Sequence, residues 1–346
     1  MTTLADRLKA LIVADGPLPV STFMQLCLHD PQHGYYATRP GLGEDFRTAP
    51  ETSQVFGELL GIWAALEWRA MGAPSRFNLV ELGPGRGTLM ADALRATRPV
   101  QGFQEAANIV LVEASPALRE AQTDRLSPHG VAHVDALNDV PDGPSIILAN
   151  EFLDCLPARQ FVRDGEAWRE RVIGLSETGD LVFGLAADRS PPGEAQLSGD
   201  AVEVQPGLAL IVDALAEREA PFRALFIDYG PADGAPGDTL RAFKAGAQVD
   251  PLAAPGECDL TVDVDFSRLA RHARAAGLGV AGPMPQGPFL GTLGIEARMR
   301  QLIQQNPDAA SEIHRGVADL VEPDKMGLRF KAICLSSPDL PPPAGF

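Results

Sequence analysis

Short apolar runs alternate with helical patterns along most of the chain. Predominantly apolar runs fill residues 77–82, 108–113, 145–149 and 224–230, and further candidates lie at 132–134, 280–283 and 330–336. Helical spacing of apolar residues is clearest over 53–71 and 116–126. Buried strands separated by helices are typical of a parallel sheet with helices on both faces. The pattern therefore predicts an α/β fold.

Two stretches depart from this alternation. Residues 158–185 show strand-like alternation, with turn signals at Asp164-Gly165 and Thr178-Gly179-Asp180, and predict an antiparallel insertion. Residues 231–255 carry no clear pattern and predict a long loop, and the proline-rich stretch 338–346 predicts a frayed tail.

The first part of the chain predicts a small helical region. Helices are expected over 2–14 and 19–28, followed by a long polar loop that ends near Gln54. Two of the three tyrosines lie in this loop, at Tyr35 and Tyr36. Long loops inside domains are often functional, so we expect a lid over a ligand, with a packed connector as the alternative. The expected division is a helical cap and lid loop over 1–75 and an α/β domain over 76–340, with a β/loop/helix region inserted at 158–222.

The turn after the first buried strand carries the most specific chemistry. Glu81 is followed by Gly83, Gly85 and Gly87, and a helix begins directly afterwards. This spacing differs from the G-x-G-x-x-G fingerprint that seats a pyrophosphate. A carboxylate within the turn favours a ligand that carries positive charge, such as the methionine portion of S-adenosylmethionine. The alternative is a purely structural turn between strand and helix.

Polar residues follow three further strands. Glu113 lies 26 residues beyond Gly87, where nucleotide-binding folds place an acid on the ribose hydroxyls, although it could also cap the next helix. Asp135, with Ala136 after it, follows the third strand and is a candidate contact for an adenine. Asn150, Glu151 and Asp154 follow the fourth strand, at the sheet edge where ligands bind in such folds. The alternative is that Asn150 caps a turn and the two acids are solvated.

Composition excludes several classes of protein. The formal charge of −17 and the pI near 4.7 argue against a nucleic-acid partner, which would require a basic face. The four cysteines lie far apart, so neither a zinc site nor a disulfide framework is expected, and no other metal site is predicted. No signal peptide, transit peptide or membrane span is apparent, which predicts a cytoplasmic protein without membrane insertion.

The motifs taken together resemble one family, the MidA-like methyltransferases. The resemblance covers residues 4–336 and rests on motifs that occur in the family's order: Thr48-Ala49-Pro50-Glu51, Glu81 to Leu89, Asn150 to Asp154, Ile227-Asp228-Tyr229-Gly230, Asp263 to Phe266, Leu293-Gly294-Ile295 and Met326 to Lys331. It implies a class I, Rossmann-like methyltransferase fold with a seven-stranded sheet, an N-terminal helical cap and an antiparallel β insertion. It also implies that S-adenosylmethionine is the cofactor.

The implied reaction is methylation of an arginine in a protein, as in the mitochondrial member of the family that assembles respiratory complex I. A complex I subunit is therefore the expected kind of partner, and the eukaryotic relatives are expected in the mitochondrial matrix. Paired carboxylates suit a guanidinium, so Glu151 and Asp154 are the candidate catalytic residues, with Asp228 as a third. Thr48 and Pro50, with Glu51 and Gln54, are expected to close the site. Two alternatives stay open: a methyltransferase for a small molecule, and a non-catalytic assembly protein that keeps the fold.

Overall fold

The computed structural model describes residues 3–38, 47–189, 199–234 and 237–346. The strands are β1 Leu18–Pro19, β2 Phe77–Leu82, β3 Ala107–Val112, β4 Ala132–Val134, β5 Ser145–Asn150, β6 Arg159–Asp164, β7 Ala167–Leu175, β8 Leu181–Arg189, β9 Ala201–Val204, β10 Phe222–Tyr229, β11 Arg241–Lys244, β12 Ala247–Val249, β13 Asp259–Thr261, β14 Gly279–Pro285 and β15 Phe330–Ser336. The α-helices are α1 Leu4–Asp15, α2 Val20–His29, α3 Tyr35–Thr38, α4 Ala49–Thr52, α5 Gln54–Ala70, α6 Thr88–Thr97, α7 Phe103–Ala106, α8 Pro116–Arg125, α9 Gly207–Ala216, α10 Phe266–Ala275, α11 Gln286–Thr292, α12 Ile295–Gln305, α13 Ala310–Val321 and α14 Met326–Arg329.

The chain folds into two units. The first unit contains residues 3–38, 153–189, 199–210, 231–234 and 237–269 of the described chain, and the second contains residues 47–152, 211–230 and 270–346. Residues 47–75, which the sequence analysis assigned to the cap, thus belong to the second unit. Residues 39–46 of the expected lid lie outside the described residues.

The second unit is built on a seven-stranded sheet. Its strand order is β14-β15-β10-β5-β2-β3-β4, with β10, β5, β2, β3 and β4 parallel and β15 antiparallel to both of its neighbours. Read from β4 to β14 and numbered along the sequence within the sheet, the order is 3-2-1-4-5-7-6. The order reverses between β2 and β5, so a ligand is expected beyond the carboxyl ends of these two strands. The predicted Rossmann-like fold is confirmed.

Helices pack against this sheet through a large apolar core. In α5, Phe56 and Trp63 are fully buried and share a core with Phe77, Phe103 and Leu148. Burying each side chain of this size contributes about 1.5–3 kcal/mol relative to leaving it exposed. Helices α11 and α13 had no counterpart in the prediction, which placed a helix between the last two strands only near α12. No helix in the described ranges is long and apolar enough to cross a membrane.

The first unit is antiparallel. Its five-stranded sheet follows the order β1-β7-β6-β9, with β8 paired to β7, and a three-stranded sheet follows the order β12-β11-β13. Helices α1 and α2 share a core with these strands, in which Leu8, Phe23 and Ile173 are fully buried. The predicted antiparallel insertion is confirmed. The prediction of a loop over 231–255 is wrong, because β11 and β12 form a hairpin there.

The carboxyl-terminal tail packs on the second unit, so the prediction of a frayed tail is wrong. The Trp63 indole Nε1 donates to the Ala344 carbonyl oxygen at 3.0 Å, and the Ala344 backbone N–H donates to Glu67 Oε1 at 2.7 Å. The Phe346 ring lies 5.1 Å from the ring of Phe289, centroid to centroid. These contacts fix the tail although its composition suits neither helix nor strand.

Candidate functional site at the carboxyl edge of the seven-stranded sheet

The turn between β2 and α6 exposes bare backbone. Gly83, Gly85 and Gly87 have φ angles of 61°, 52° and 74°, in the left-handed region that favours glycine. A Cβ on Gly83 would lie 2.9 Å from Cδ2 of Phe152, so even alanine would meet the ring at this position. The turn is pinned from both sides, since Gly83 N donates to the Val112 carbonyl and Gly87 N donates to the Pro84 carbonyl. A ligand can therefore lie directly against this backbone.

Glu81 places a buried carboxyl group near the end of β2, next to the turn. Its side chain accepts a hydrogen bond from the Met90 backbone N–H, and burial raises its pKa to about 8, with nearby Glu113 adding to the rise. Among the residues that the structure describes, Oε2 of Glu81 has no hydrogen-bond partner although it is buried. A buried acceptor without a partner is costly, and a cation at this position would satisfy it.

These features fit S-adenosylmethionine. The ammonium of its methionine portion matches the unpaired Glu81 oxygen, and the glycine backbone leaves room for the ligand. Gly87 is the N-cap residue of α6 and provides no side-chain cap, so the first N–H groups of that helix also lie at this edge.

Glu113 follows β3 and is held by two donors. Its Oε1 accepts from Ser115 N at 2.8 Å, and its Oε2 accepts from the Gln122 side-chain amide at 3.2 Å. Burial raises the pKa of Glu113. The same Gln122 amide donates to the Gly85 carbonyl at 2.7 Å, so it joins the glycine turn to the predicted ribose-binding acid. Sequence analysis missed Gln122, whose only signal is a polar residue four positions after Leu118 on the inward face of α8.

Asp135 lies in a more open position, directly after β4. Its side chain is exposed and forms an ion pair with Arg119, with 2.6 Å between Nη2 and Oδ1. Arg119 Nε also donates to the Glu113 carbonyl oxygen at 2.6 Å. Arg119 thus ties together the ends of β3 and β4, and the structure places the adenine candidate next to the ribose candidate.

Glu151 stands on unusual backbone at the end of β5. It has φ of 50°, which is uncommon for a residue other than glycine and is typical of functional sites. Its Oε1 accepts from Asn150 Nδ2 and from Ala49 N, each at 3.0 Å. Oδ1 of Asn150 is buried and has no hydrogen-bond partner among the described residues. Asn150 and Glu151 therefore lie together, as predicted from the sequence.

The segment 48–54 contacts the residue that follows β5 and the first residue of α6. Ala49 N reaches Glu151, and the Thr88 hydroxyl, in the first residue of α6, donates to Glu51 Oε1 at 2.6 Å. Thr48 precedes α4 as its N-cap residue, and Pro50 lies in the first turn of that helix. Ala49 and Glu51 therefore fix the position of this segment.

Asp228 is fully buried in β10 and holds backbone on two sides. Its Oδ2 accepts from Phe152 N at 3.1 Å and its Oδ1 accepts from Tyr229 N at 2.8 Å. These contacts fix the chain directly after Glu151. They give Asp228 the geometry of a positioning residue.

Asp154 belongs to the first unit, where it is buried. Its Oδ2 accepts from the Thr261 hydroxyl at 2.7 Å, and its carbonyl oxygen accepts from Val262 N at 3.0 Å. The Tyr36 hydroxyl donates to Asp259 nearby in this unit, and burial with the charges of Asp259 and Asp154 raises the pKa of Tyr36 well above its usual value.

Comparison with known proteins identifies the kind of site. Residues 59–284 match a family model described as "Putative S-adenosyl-L-methionine-dependent methyltransferase". The chain is 38% identical over 370 residues to the mitochondrial protein arginine methyltransferase NDUFAF7 of Mus musculus, covering 97% of this chain and 84% of that protein. It is 37% identical over 374 residues to the mitochondrial NDUFAF7 homolog of Drosophila melanogaster, also named a protein arginine methyltransferase, with coverages of 96% and 84%.

A solved structure agrees with this family. A crystal structure from Burkholderia thailandensis with bound S-adenosyl-homocysteine matches the chain with a TM-score of 0.83 and 26% identity, covering 99% of this chain and 93% of that one.

Proposed function

Because the chain belongs to the family of S-adenosyl-L-methionine-dependent methyltransferases, we propose that it methylates an arginine side chain of a protein. The enzyme class and the cofactor predicted from the sequence are confirmed by this membership. The observation that carries the arginine assignment is the similarity to protein arginine methyltransferases over at least 96% of the chain.

The cofactor, when bound, supplies an electrophilic methyl group on a sulfonium. We assign its methionine portion to Glu81 and to the backbone of Gly83, Gly85 and Gly87. Glu113 is assigned to the ribose and Asp135 to the adenine, since they follow the next two strands of the same edge. Asn150, Thr48 and Pro50 complete the predicted set, and Asn150 Oδ1 is a buried acceptor at this edge.

The substrate side requires carboxylates. An arginine guanidinium has a pKa above 12, and its nitrogen is a poor nucleophile until hydrogen bonds draw the positive charge to the other nitrogens. Glu151 is the leading candidate. It follows β5 with a left-handed backbone conformation, and two hydrogen-bond donors fix its Oε1. Asp154 remains a candidate from its sequence motif. Asp228 is assigned to hold the backbone at Phe152, so it acts on the substrate through Glu151.

The target and the location belong to the same proposal. The relatives are mitochondrial proteins, and a subunit of respiratory complex I is the target that the family resemblance implies. The cytoplasmic location remains a prediction from the sequence, and cell fractionation would test it.

The test is transfer of a labelled methyl group. The purified chain is incubated with S-adenosylmethionine labelled in the methyl group and a protein extract of the source organism, and the labelled protein is hydrolysed to identify the methylated amino acid. We expect label in methylarginine, and at least a hundredfold less with Glu151→Gln. Label confined to small molecules would overturn the protein assignment. Cofactor binding without any transfer would favour the non-catalytic assembly protein.

A further inference from the structure

Gln122 occupies the centre of the predicted cofactor edge. It is fully buried on α8, four residues after Leu118, so both side chains face inward from the same side of the helix. Every polar atom of its side chain has a partner. The amide nitrogen donates to the Gly85 carbonyl at 2.7 Å and to Glu113 Oε2 at 3.2 Å. The amide oxygen lies 2.9 Å from Nε2 of His133.

Hydrogen-bond chemistry fixes which way this amide points. A carbonyl oxygen and a carboxylate only accept, so the two N–H groups of Gln122 must face Gly85 and Glu113. The oxygen then faces His133, whose Nε2 must carry a proton to donate to it. Burial and the charge of Arg119 lower the pKa of His133, which favours the neutral ring. A single side chain thereby connects the ends of β2, β3 and β4.

We propose that Gln122 is the positioning residue that sets Glu113 for recognition of the ribose hydroxyls of the cofactor. Ser115 N holds one oxygen of Glu113 and Gln122 holds the other, so the plane of the carboxylate is fixed. A carboxylate can accept about four hydrogen bonds, so Glu113 keeps acceptor capacity for the ribose hydroxyls. The contact with Gly85 fixes the distance between the ribose acid and the glycine turn.

Only glutamine among the common residues meets these demands. Leucine has a similar size but no donor, and its introduction would leave the Gly85 carbonyl and the Glu113 carboxylate without this partner. Glutamate has nearly the same shape and retains an acceptor for His133. When ionised it has no hydrogen-bond donor, and it would face a second carboxylate. The two substitutions therefore separate the donor function from the packing of the side chain.

The test measures ribose discrimination by calorimetry, so it does not depend on the arginine assignment. The dissociation constant is measured for S-adenosylhomocysteine and for its 2′,3′-dideoxyribose analogue. For the wild type we expect the analogue to bind at least tenfold more weakly, because Glu113 loses both donors. With Gln122→Leu and with Gln122→Glu, the ratio of the two dissociation constants should fall to about one to three.

The matched control is Gln286→Leu. Gln286 is also fully buried in the second unit and donates its amide to a backbone carbonyl, that of Leu320, at 2.9 Å. Its substitution should lower the melting temperature and leave the ribose ratio as in the wild type. If Gln122→Leu and Gln122→Glu weaken the binding of both ligands by the same factor, so that the ratio is unchanged, Gln122 is only a packing residue and the proposal is wrong.

Discussion

Glu81 and Asp228 are both buried carboxyl groups near the ends of parallel strands in one sheet, but they are satisfied differently. Asp228 accepts from two backbone N–H groups, one on each oxygen. Glu81 accepts from Met90 N, and its other oxygen has no partner in the described chain. A satisfied buried carboxylate stabilises the fold, whereas an unsatisfied one raises the energy of the ligand-free protein and is available to a ligand. Similar chemistry at one edge thus serves structure in one strand and binding in the other.

The largest effect is expected from removing the satisfied group. Asp228→Ala leaves the buried N–H groups of Phe152 and Tyr229 without these acceptors, which should lower the free energy of unfolding by roughly 2–4 kcal/mol. Urea denaturation measures this change. Asp319→Ala, which removes a surface ion pair with Lys325, should change it little. An unchanged urea midpoint for Asp228→Ala would contradict the view that the satisfied carboxylate of Asp228 stabilises the fold.

The opposite balance is expected from Glu81→Gln. Stability of the ligand-free protein should stay the same or rise, because glutamine is neutral when buried and needs no proton uptake on folding, but affinity for S-adenosylhomocysteine should fall roughly ten- to a hundredfold. Thermal unfolding and calorimetry give the two quantities. Glu67→Gln is the control. Glu67 is buried, with its Oε2 2.9 Å from Nε of Arg223, so this substitution should lower the stability and leave the affinity for S-adenosylhomocysteine unchanged. Wild-type affinity in Glu81→Gln would contradict the assignment of the ammonium.

The pH dependence sharpens the same comparison. The pKa of Glu81 is about 8 in the folded protein against 4.5 for the ordinary group, so between these values the folded state binds a proton that the unfolded state has lost. Stability from this group is complete below pH 4.5 and is lost as the pH rises through about 8. Ligand-free Glu81→Gln should therefore lose less stability over this range than the wild type.

Cofactor binding has the reverse dependence on pH, because the ligand's ammonium favours the ionised carboxylate. Affinity should rise with pH up to about 8 in the wild type, with release of a proton on binding, and the rise should be weaker in Glu81→Gln. Calorimetry in buffers of different ionisation enthalpy counts this proton. Equal proton release by both proteins would show that Glu81 does not titrate with the ligand.

The smallest effect is expected at the rim of the site. Thr88→Val removes the hydroxyl that holds Glu51 and should weaken cofactor binding by about two- to tenfold, with little change in stability. Thr97→Val is the control within the same helix, because the Thr97 hydroxyl donates to the Ala93 and Leu94 carbonyls of its own helix. Equal affinities for the two variants would argue that the segment around Glu51 does not contribute to the site.

Local patterns were enough to predict most of the central sheet. Strands β2, β3, β5 and β10 are predominantly apolar runs, which are typical of parallel strands buried on both faces. Strands β11 and β12 are short and only partly buried, so their residues carry no periodic signal, and pairing within the three-stranded sheet defines them. The prediction for the carboxyl-terminal tail was wrong for a related reason. The tail is held in place by Trp63, Glu67 and Phe289, which are far away in the sequence.

The candidate site likewise has features that the local sequence predicts and features that only distant contacts set. The order of acid and glycines from Glu81 to Gly87 indicated the turn and the kind of ligand, because backbone conformation and charge are local properties, and the family followed from this motif together with the others along the chain. Only the tertiary structure decided that Asp228 is occupied by backbone donors, that one oxygen of Glu81 lacks a partner, and that Gln122 connects three strand ends. Apart from the contact of Asp228 with its neighbour Tyr229, these hydrogen bonds join residues from 9 to 76 positions apart, and no local pattern records which distant group satisfies a buried polar atom.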